Sequence, residues 1–269
     1  MSKRAPILKT YKLFINGQFL RCESGHYFQV LDPKTKKPLA NAARASRKDL
    51  RDAVKAARAA LPGWSAKTAY NRGQILYRMA EILENRKAQF PQREVLKAID
   101  WLVWYAGWSD KYQQIFGTVN PVALPYFNFT LPEPTGVVGI LAADEWPLLP
   151  LVSQIAPALV AGNTLVVIAS EQFPLTAITF AEVLATSDLP GGVVNILTGF
   201  KKELIPHLAK HMDVNAVHYA GKDKEVLKAI QEEAAGNVKR VITVDPLQQS
   251  PYHIQAFTEM KTTWHPVGV

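Results

Sequence analysis

The sequence predicts an α/β fold, a doubly wound and Rossmann-like parallel sheet preceded by N-terminal helices. Two observations carry this expectation. Between Val137 and Val244, short apolar runs alternate with longer helical patterns, as parallel strands covered by helices on both faces require. In addition, 48% of the 269 residues are hydrophobic, which is ample for a buried core.

The elements follow in order. Segments 13–19 and 27–31 read as short strands around the turn signals Asn16-Gly17 and Ser24-Gly25. Ser46 followed by Asp49 reads as a capping box for a helix through Ala60, ended by Pro62-Gly63. A second helix places Ile75, Leu76, Met79, Ile82 and Leu83 on one face, and a third spans about 93–116. Segment 123–130 alternates aromatic and polar residues like a strand. The parallel unit comprises strands at 137–142, 164–169, 193–197, 216–219 and 238–244. Helices at 148–160, 175–185, 202–211 and 224–235 separate them. Right-handed crossovers then wind the sheet in both directions. The chain after Tyr252 is again strand-like, and neither an internal repeat nor a low-complexity linker interrupts the order.

Composition removes several function classes. The net charge is +8, but the basic residues from Lys34 to Arg51 alternate with acidic and apolar positions, and no nucleic-acid module accompanies them. The stretch 146–170 lacks charge, yet Pro147, Pro150, Pro157 and the turn Ala161-Gly162-Asn163 divide it into a buried helix and strand rather than a membrane span. The lone Cys22 rules out a disulfide framework, and the N-terminus shows no secretion signal, so a cytoplasmic protein is expected.

Three segments, EPTGVVGI (133–140), IAPALVAGNTLVV (155–167) and LPGGVVNILTGF (189–200), together with YAGWSDK (105–111), carry a family resemblance. In this order and spacing they resemble the NAD-dependent aldehyde dehydrogenase superfamily. The chain passes from Ser250-Pro251 almost directly to TEMKTTWHPVGV, which looks like the family's C-terminal strand. The resemblance thus implies a form lacking the catalytic domain, similar to the non-catalytic C-terminal half of two-domain aldehyde dehydrogenases. It assigns 1–119 and 136–251 to an NAD-binding-type domain, and 120–135 and 252–269 to a β-strand oligomerisation flap.

The family's chemistry positions are altered. Glu145, in Ala143-Asp144-Glu145-Trp146, stands where the family has the oxyanion-hole asparagine, and an ionised carboxylate cannot donate to an oxyanion. Its plainer role, shared with Asp144, is to cap a helix beginning at Pro147. Ile168 replaces the ribose-binding lysine, while Glu171 can still accept from ribose hydroxyls or simply stand near a helix start. Gly199-Phe200 opens the third loop as in the family, but Lys201 and Lys202 follow where small residues belong and could close the adenine space. In Tyr219-Ala220-Gly221-Lys222-Asp223-Lys224, Lys222 and Lys224 could neutralise phosphate or merely be exposed. Asp245 stands for the general-base glutamate without its glycines, and Cys22 lies in the N-terminal turn region with no base. His207 and His211 share helical spacing, but a zinc site needs a third ligand and none is evident.

The expectation is a catalytically inactive, aldehyde-dehydrogenase-like structural or regulatory subunit with no catalytic residue and no metal site. It pairs through the flap with itself or with a complete aldehyde dehydrogenase. NAD is absent or weakly held, and the candidate cofactor positions are Glu171, Gly199, Gly221 and Lys222. The alternative is an NAD(P)-binding subunit whose catalytic cysteine comes from a partner.

Overall fold

The computed structural model describes residues 7–32 and 34–268. The chain begins with β1 (Thr10–Tyr11), a hairpin of β2 (Leu13–Ile15) and β3 (Gln18–Leu20), then β4 (Tyr27–Leu31) and β5 (Pro38–Ala43). Asn16 and Gly17 take φ of 53° and 74°, as a two-residue type I′ turn requires. The strand β5 is unanticipated. Its sequence PLANAA has weak strand propensity, but it pairs with both β1 and β4, and pairing outweighs propensity in sheets.

Helix α1 (Arg47–Ser65) opens on the expected capping box. Ser46 Oγ accepts from Asp49 N at 3.2 Å and Asp49 Oδ2 from Ser46 N at 2.7 Å. The helix runs on through Pro62-Gly63 instead of stopping there, because burying Trp64 holds its last turn in place. Helix α2 (Ala69–Asn85) follows. The expected third helix divides into α3 (Val95–Trp108) and α4 (Tyr112–Phe116). At the break, Ser109 Oγ donates to the Ala106 carbonyl at 2.8 Å, a local bond that competes with helix continuation.

Next come β6 (Thr118–Asn120) and β7 (Tyr126–Pro134), then the alternating unit: β8 (Val137–Leu141), α5 (Leu149–Val160), β9 (Thr164–Ile168), α6 (Pro174–Ala185), β10 (Val194–Leu197), α7 (Lys201–Lys210), β11 (Ala216–Tyr219), α8 (Lys224–Ala235) and β12 (Arg240–Ile242). The tail is not all strand: α9 (Tyr252–Ala256) precedes β13 (Thr258–Pro266).

The main sheet has the order β12-β11-β8-β9-β10-β2-β3. Its first five strands are parallel, and the β2–β3 hairpin is added antiparallel to β10. Alternate strand residues feed two cores. Val138, Ile140 and Val167 face the side of α2, α3, α5 and α6, while Val137, Leu141 and Val166 face α1, α7 and α8. This two-sided burial is why the strands read as unbroken apolar runs. Stretch 146–170 is α5 and β9 of this core, and no helix among the described residues is long and apolar enough to cross a membrane.

A second sheet, β13-β7-β6, stands beside the first. Strands β7 and β13 pair antiparallel along their full length, from Thr258 opposite Pro134 to Pro266 opposite Tyr126. Arg240 on β12 anchors it, donating to the Thr258 carbonyl at 2.5 Å and to Glu259 Oε2 at 2.8 Å. Buried Asn163 completes the joint, with Nδ2 donating to the Phe257 carbonyl at 2.9 Å and Oδ1 accepting from Gly136 N at 2.8 Å.

Candidate functional site

Strands β9 and β10 are added on one side of β8, and β11 and β12 on the other, so the winding reverses between β8 and β11. The loops leaving their C-terminal ends diverge there, the place where open α/β sheets bind ligands. A cleft of about 700 Å³ occupies this point. It is lined by Ile205 and Pro206 of α7, Val226 and Ala229 of α8, the 141–145 segment, Tyr219 and Gly221.

An internal ion pair lines the cleft. Lys201 Nζ donates to Asp144 Oδ2 at 2.5 Å and to the Ala142 carbonyl at 2.7 Å, and Ser170 Oγ donates to Asp144 Oδ1 at 2.6 Å. The Lys201 side chain is mostly buried. At the rim, Lys222 Nζ lies 4.0 Å from Glu145 Oε1.

The helices that follow β8, β9, β10 and β11 all start at this edge, and carboxylates from within the chain accept from amides at the starts of α5, α7 and α8. On α5, Glu94 Oε2 accepts from Leu148 N at 3.1 Å and Leu149 N at 2.7 Å. Ahead of α6, Ser170 Oγ accepts from Gln172 N and Phe173 N, both at 3.2 Å. On α7, Glu171 Oε1 accepts from Lys201 N at 2.6 Å. On α8, Asp223 Oδ1 accepts from Glu225 N at 2.9 Å and Val226 N at 3.3 Å. The α7 and α8 amides are helix-terminal donors of the kind that would otherwise meet a phosphate.

The candidate residues are dispersed. Gly221 and Lys222 line the cleft, with Lys222 89% exposed along its side chain. Glu171 is exposed and capping α7. Gly199 (φ 154°) packs against the backbone of Ala45 rather than into the cleft. Ile168 is fully buried at the end of β9. Lys201 and Lys202 both line the cleft and leave it open, so the expected loss of space is corrected. Asp144 and Glu145 do not cap the next helix either. That helix starts at Leu149, and the more remote Glu94 is 5% exposed and already holds its amides. Lys224 is the first residue of α8. Asp245 serves a local turn, accepting from Leu247 N at 2.9 Å. Cys22 is buried, its Sγ donating to the His26 carbonyl at 3.3 Å. His207 and His211 share a groove with Arg47, Arg51 and Lys210, a cationic setting that disfavours a metal ion.

Sequence reasoning missed Glu94, Ser170 and a buried pair beside Leu141. Gln154 Nε2 donates to the Leu141 carbonyl at 3.1 Å and lies 3.4 Å from His218 Nδ1, and His218 Nε2 lies 3.1 Å from the Val244 carbonyl. A neutral imidazole with its proton on Nε2 satisfies both contacts. Burial pushes the His218 pKa down to about 4.

Comparison with known proteins accords with this arrangement. The family profile "Aldehyde dehydrogenase family" matches residues 19–244. Cytosolic aldehyde dehydrogenase 1 of Elephantulus edwardii is 36% identical over 249 residues, covering 86% of this chain and 49% of the relative. Omega-crystallin of Enteroctopus dofleini is 32% identical over 254 residues, covering 88% of this chain and 51% of the relative. The NAD+ complex of an aldehyde dehydrogenase from Bacillus cereus superposes with a TM-score of 0.81 at 30% identity, over 87% of this chain and 50% of that one. The chain spans about half the length of the relatives it matches. With most of its length covered by the family pattern and the same fold, the chain belongs to the aldehyde dehydrogenase family.

Proposed function

We propose that this chain is a catalytically inactive family member that acts as a structural or regulatory subunit, pairing through the β6–β7–β13 sheet with itself or with a complete aldehyde dehydrogenase. The sheet is the observation that carries the reading. Strand β13 is an edge, exposed along nearly its whole length. Val119, Phe127 and Leu131 lie on one sheet face, 67%, 47% and 45% exposed. Proteins normally cover such an apolar edge.

The residues at the reaction positions support inactivity. Glu145 places a carboxylate where an oxyanion would need a donor, Asp245 is engaged in its own turn, and the chain's one thiol is buried at the far N-terminal region. NAD, the cofactor of the relative solved with it, is a poor fit for the cleft. Its pyrophosphate needs helix-terminal amides and positive potential, but Glu171 and Asp223 already hold amides at the starts of α7 and α8, and Lys201 is paired with Asp144. Any affinity for the dinucleotide is weak. One cysteine without a disulfide partner suits the reducing cytoplasm.

Size-exclusion chromatography with light scattering at micromolar concentration tests the reading. A dimer or larger assembly is expected, and a monomer alone and with a complete aldehyde dehydrogenase would sink it. A second reading, an NAD(P)-binding subunit completed by a partner's cysteine, rests on the position of the cleft at the switch point alone. Saturable heat on titrating NAD would support that alternative.

A further inference from the structure

We infer that the recess between the start of α2 and strand β7 binds a small phosphate-bearing anion, held by Arg72, Lys67 and the first amide of α2. The recess has a volume of about 480 Å³ and lies where the ends of α1 and α5 meet α2, α4 and β7. Arg72 lines it and carries the inference. The residue is 4% exposed, yet its hydrogen bonds go only to neutral acceptors. Nε donates to the Val160 carbonyl at 3.0 Å, and Nη1 to the carbonyls of Ser65 at 3.3 Å and Lys67 at 2.5 Å. Among the described residues no carboxylate pairs with this guanidinium, and Nη2 donates to no backbone carbonyl. A buried charge is normally matched by an opposite one.

Three neighbours favour negative charge in the same place. Lys67 lines the recess, half-buried, and forms no ion pair among the described residues. Helix α2 has no acidic residue in its first turn, so its positive end is uncompensated. Its first amide, Ala69 N, has no acceptor among the described residues, because Thr68 Oγ1 serves Asn71 N at 3.2 Å instead. Tyr112 stands beside the guanidinium. Burial pushes its hydroxyl above the ordinary pKa against the pull of the Arg72 charge, so it keeps a proton to donate. Glu133, the one acid lining the recess among the described residues, is held by Lys261 at 3.0 Å. Two cations and an open helix start against one paired acid match a dianion better than a singly charged carboxylate.

Titration calorimetry of the full chain with inorganic phosphate, glycerol 3-phosphate and acetate, at matched ionic strength and neutral pH, tests the inference. Both phosphates should bind saturably, with acetate at least about tenfold weaker. Lys67→Gln should weaken phosphate by about fivefold. Ala69→Glu supplies the negative charge from the helix itself and should abolish phosphate binding while α2 stays folded. Phosphate should raise the thermal midpoint of the wild type and leave that of Ala69→Glu in place. Both variants keep Arg72 and its three bonds, so the test does not depend on removing a buried side chain. Glycerol 3-phosphate binding tighter than phosphate marks the ligand as a phosphomonoester, and equal or weaker binding marks it as free phosphate. Either result bears the site out. No saturable binding of either phosphate at about 10 mM overturns the inference. So does acetate binding as tightly as phosphate, or wild-type phosphate affinity in either variant.

Discussion

Replacing Glu94 should unfold the site from a distance. Its Oε2 accepts from two buried amides, Leu148 N at 3.1 Å and Leu149 N at 2.7 Å, across 54 and 55 positions of sequence. Both bonds are charge-assisted, and each such bond contributes roughly 1.5–3 kcal/mol, with a similar penalty for a buried amide left unpaired. Glu94→Ala should therefore destabilise the protein by about 3–5 kcal/mol. Glu94→Gln keeps an acceptor oxygen and the side-chain volume but removes the charge at the start of α5, a loss of about 1 kcal/mol. Urea unfolding followed by circular dichroism at pH 7 gives both values from midpoint and slope. Hydrogen exchange at Leu148 and Leu149 should quicken more in the alanine variant than in the glutamine variant. An alanine variant within about 1 kcal/mol of wild type would refute the argument, because the two bonds would then contribute no more than an exposed cap.

Three further outcomes follow from the same geometry. His218 binds a proton less readily folded, at about 4, than at its ordinary 6.5, so the unfolded chain takes up more protons in that window and stability is lost as the pH drops through it. The loss between pH 7.5 and pH 5 should be about 2 kcal/mol from this group. His218→Gln, which can keep both hydrogen bonds, should flatten the profile by that amount, and an unaltered profile would assign the acid sensitivity elsewhere. A double-mutant cycle of Lys201→Met and Asp144→Asn should show coupling of about 1 kcal/mol, since the lysine is mostly buried and the pair is 2.5 Å apart. Coupling near zero would make the pair incidental. Phe127→Glu combined with Leu131→Glu should abolish the proposed assembly, read by light scattering, while circular dichroism stays unchanged, and an intact assembly would move the interface off this face.

The alternating strands and helices were legible because each strand of the parallel sheet is buried on both sides, which leaves an unbroken apolar run between turn residues. The α1 capping box was equally local and equally visible. Errors came where tertiary contacts overrule local preference. Trp64 carries α1 past Pro62, Ser109 breaks the third helix, and partners on both edges make a strand of PLANAA. In the site, the loops after the parallel strands could be read in advance, and Gly221 and Lys222 do line the cleft. What each group touches could not. Glu171 read equally as a ribose acceptor or an acid near a helix start, and its Oε1 meets the first amide of α7, while Glu94 sits in an ordinary helical sequence with nothing to mark its bond to a loop so distant along the chain. A cap supplied from another element leaves no spacing signal. Asp144 and Glu145 were nearer to the helix they seemed to serve, and proximity in sequence misled.

This chain is proposed to retain its family's architecture without its reaction. Aldehyde-dependent formation of NADH by the purified full chain tests it most directly. No turnover above a protein-free control is expected, with Cys22→Ala indistinguishable from wild type. Turnover that Cys22→Ala abolishes would contradict it.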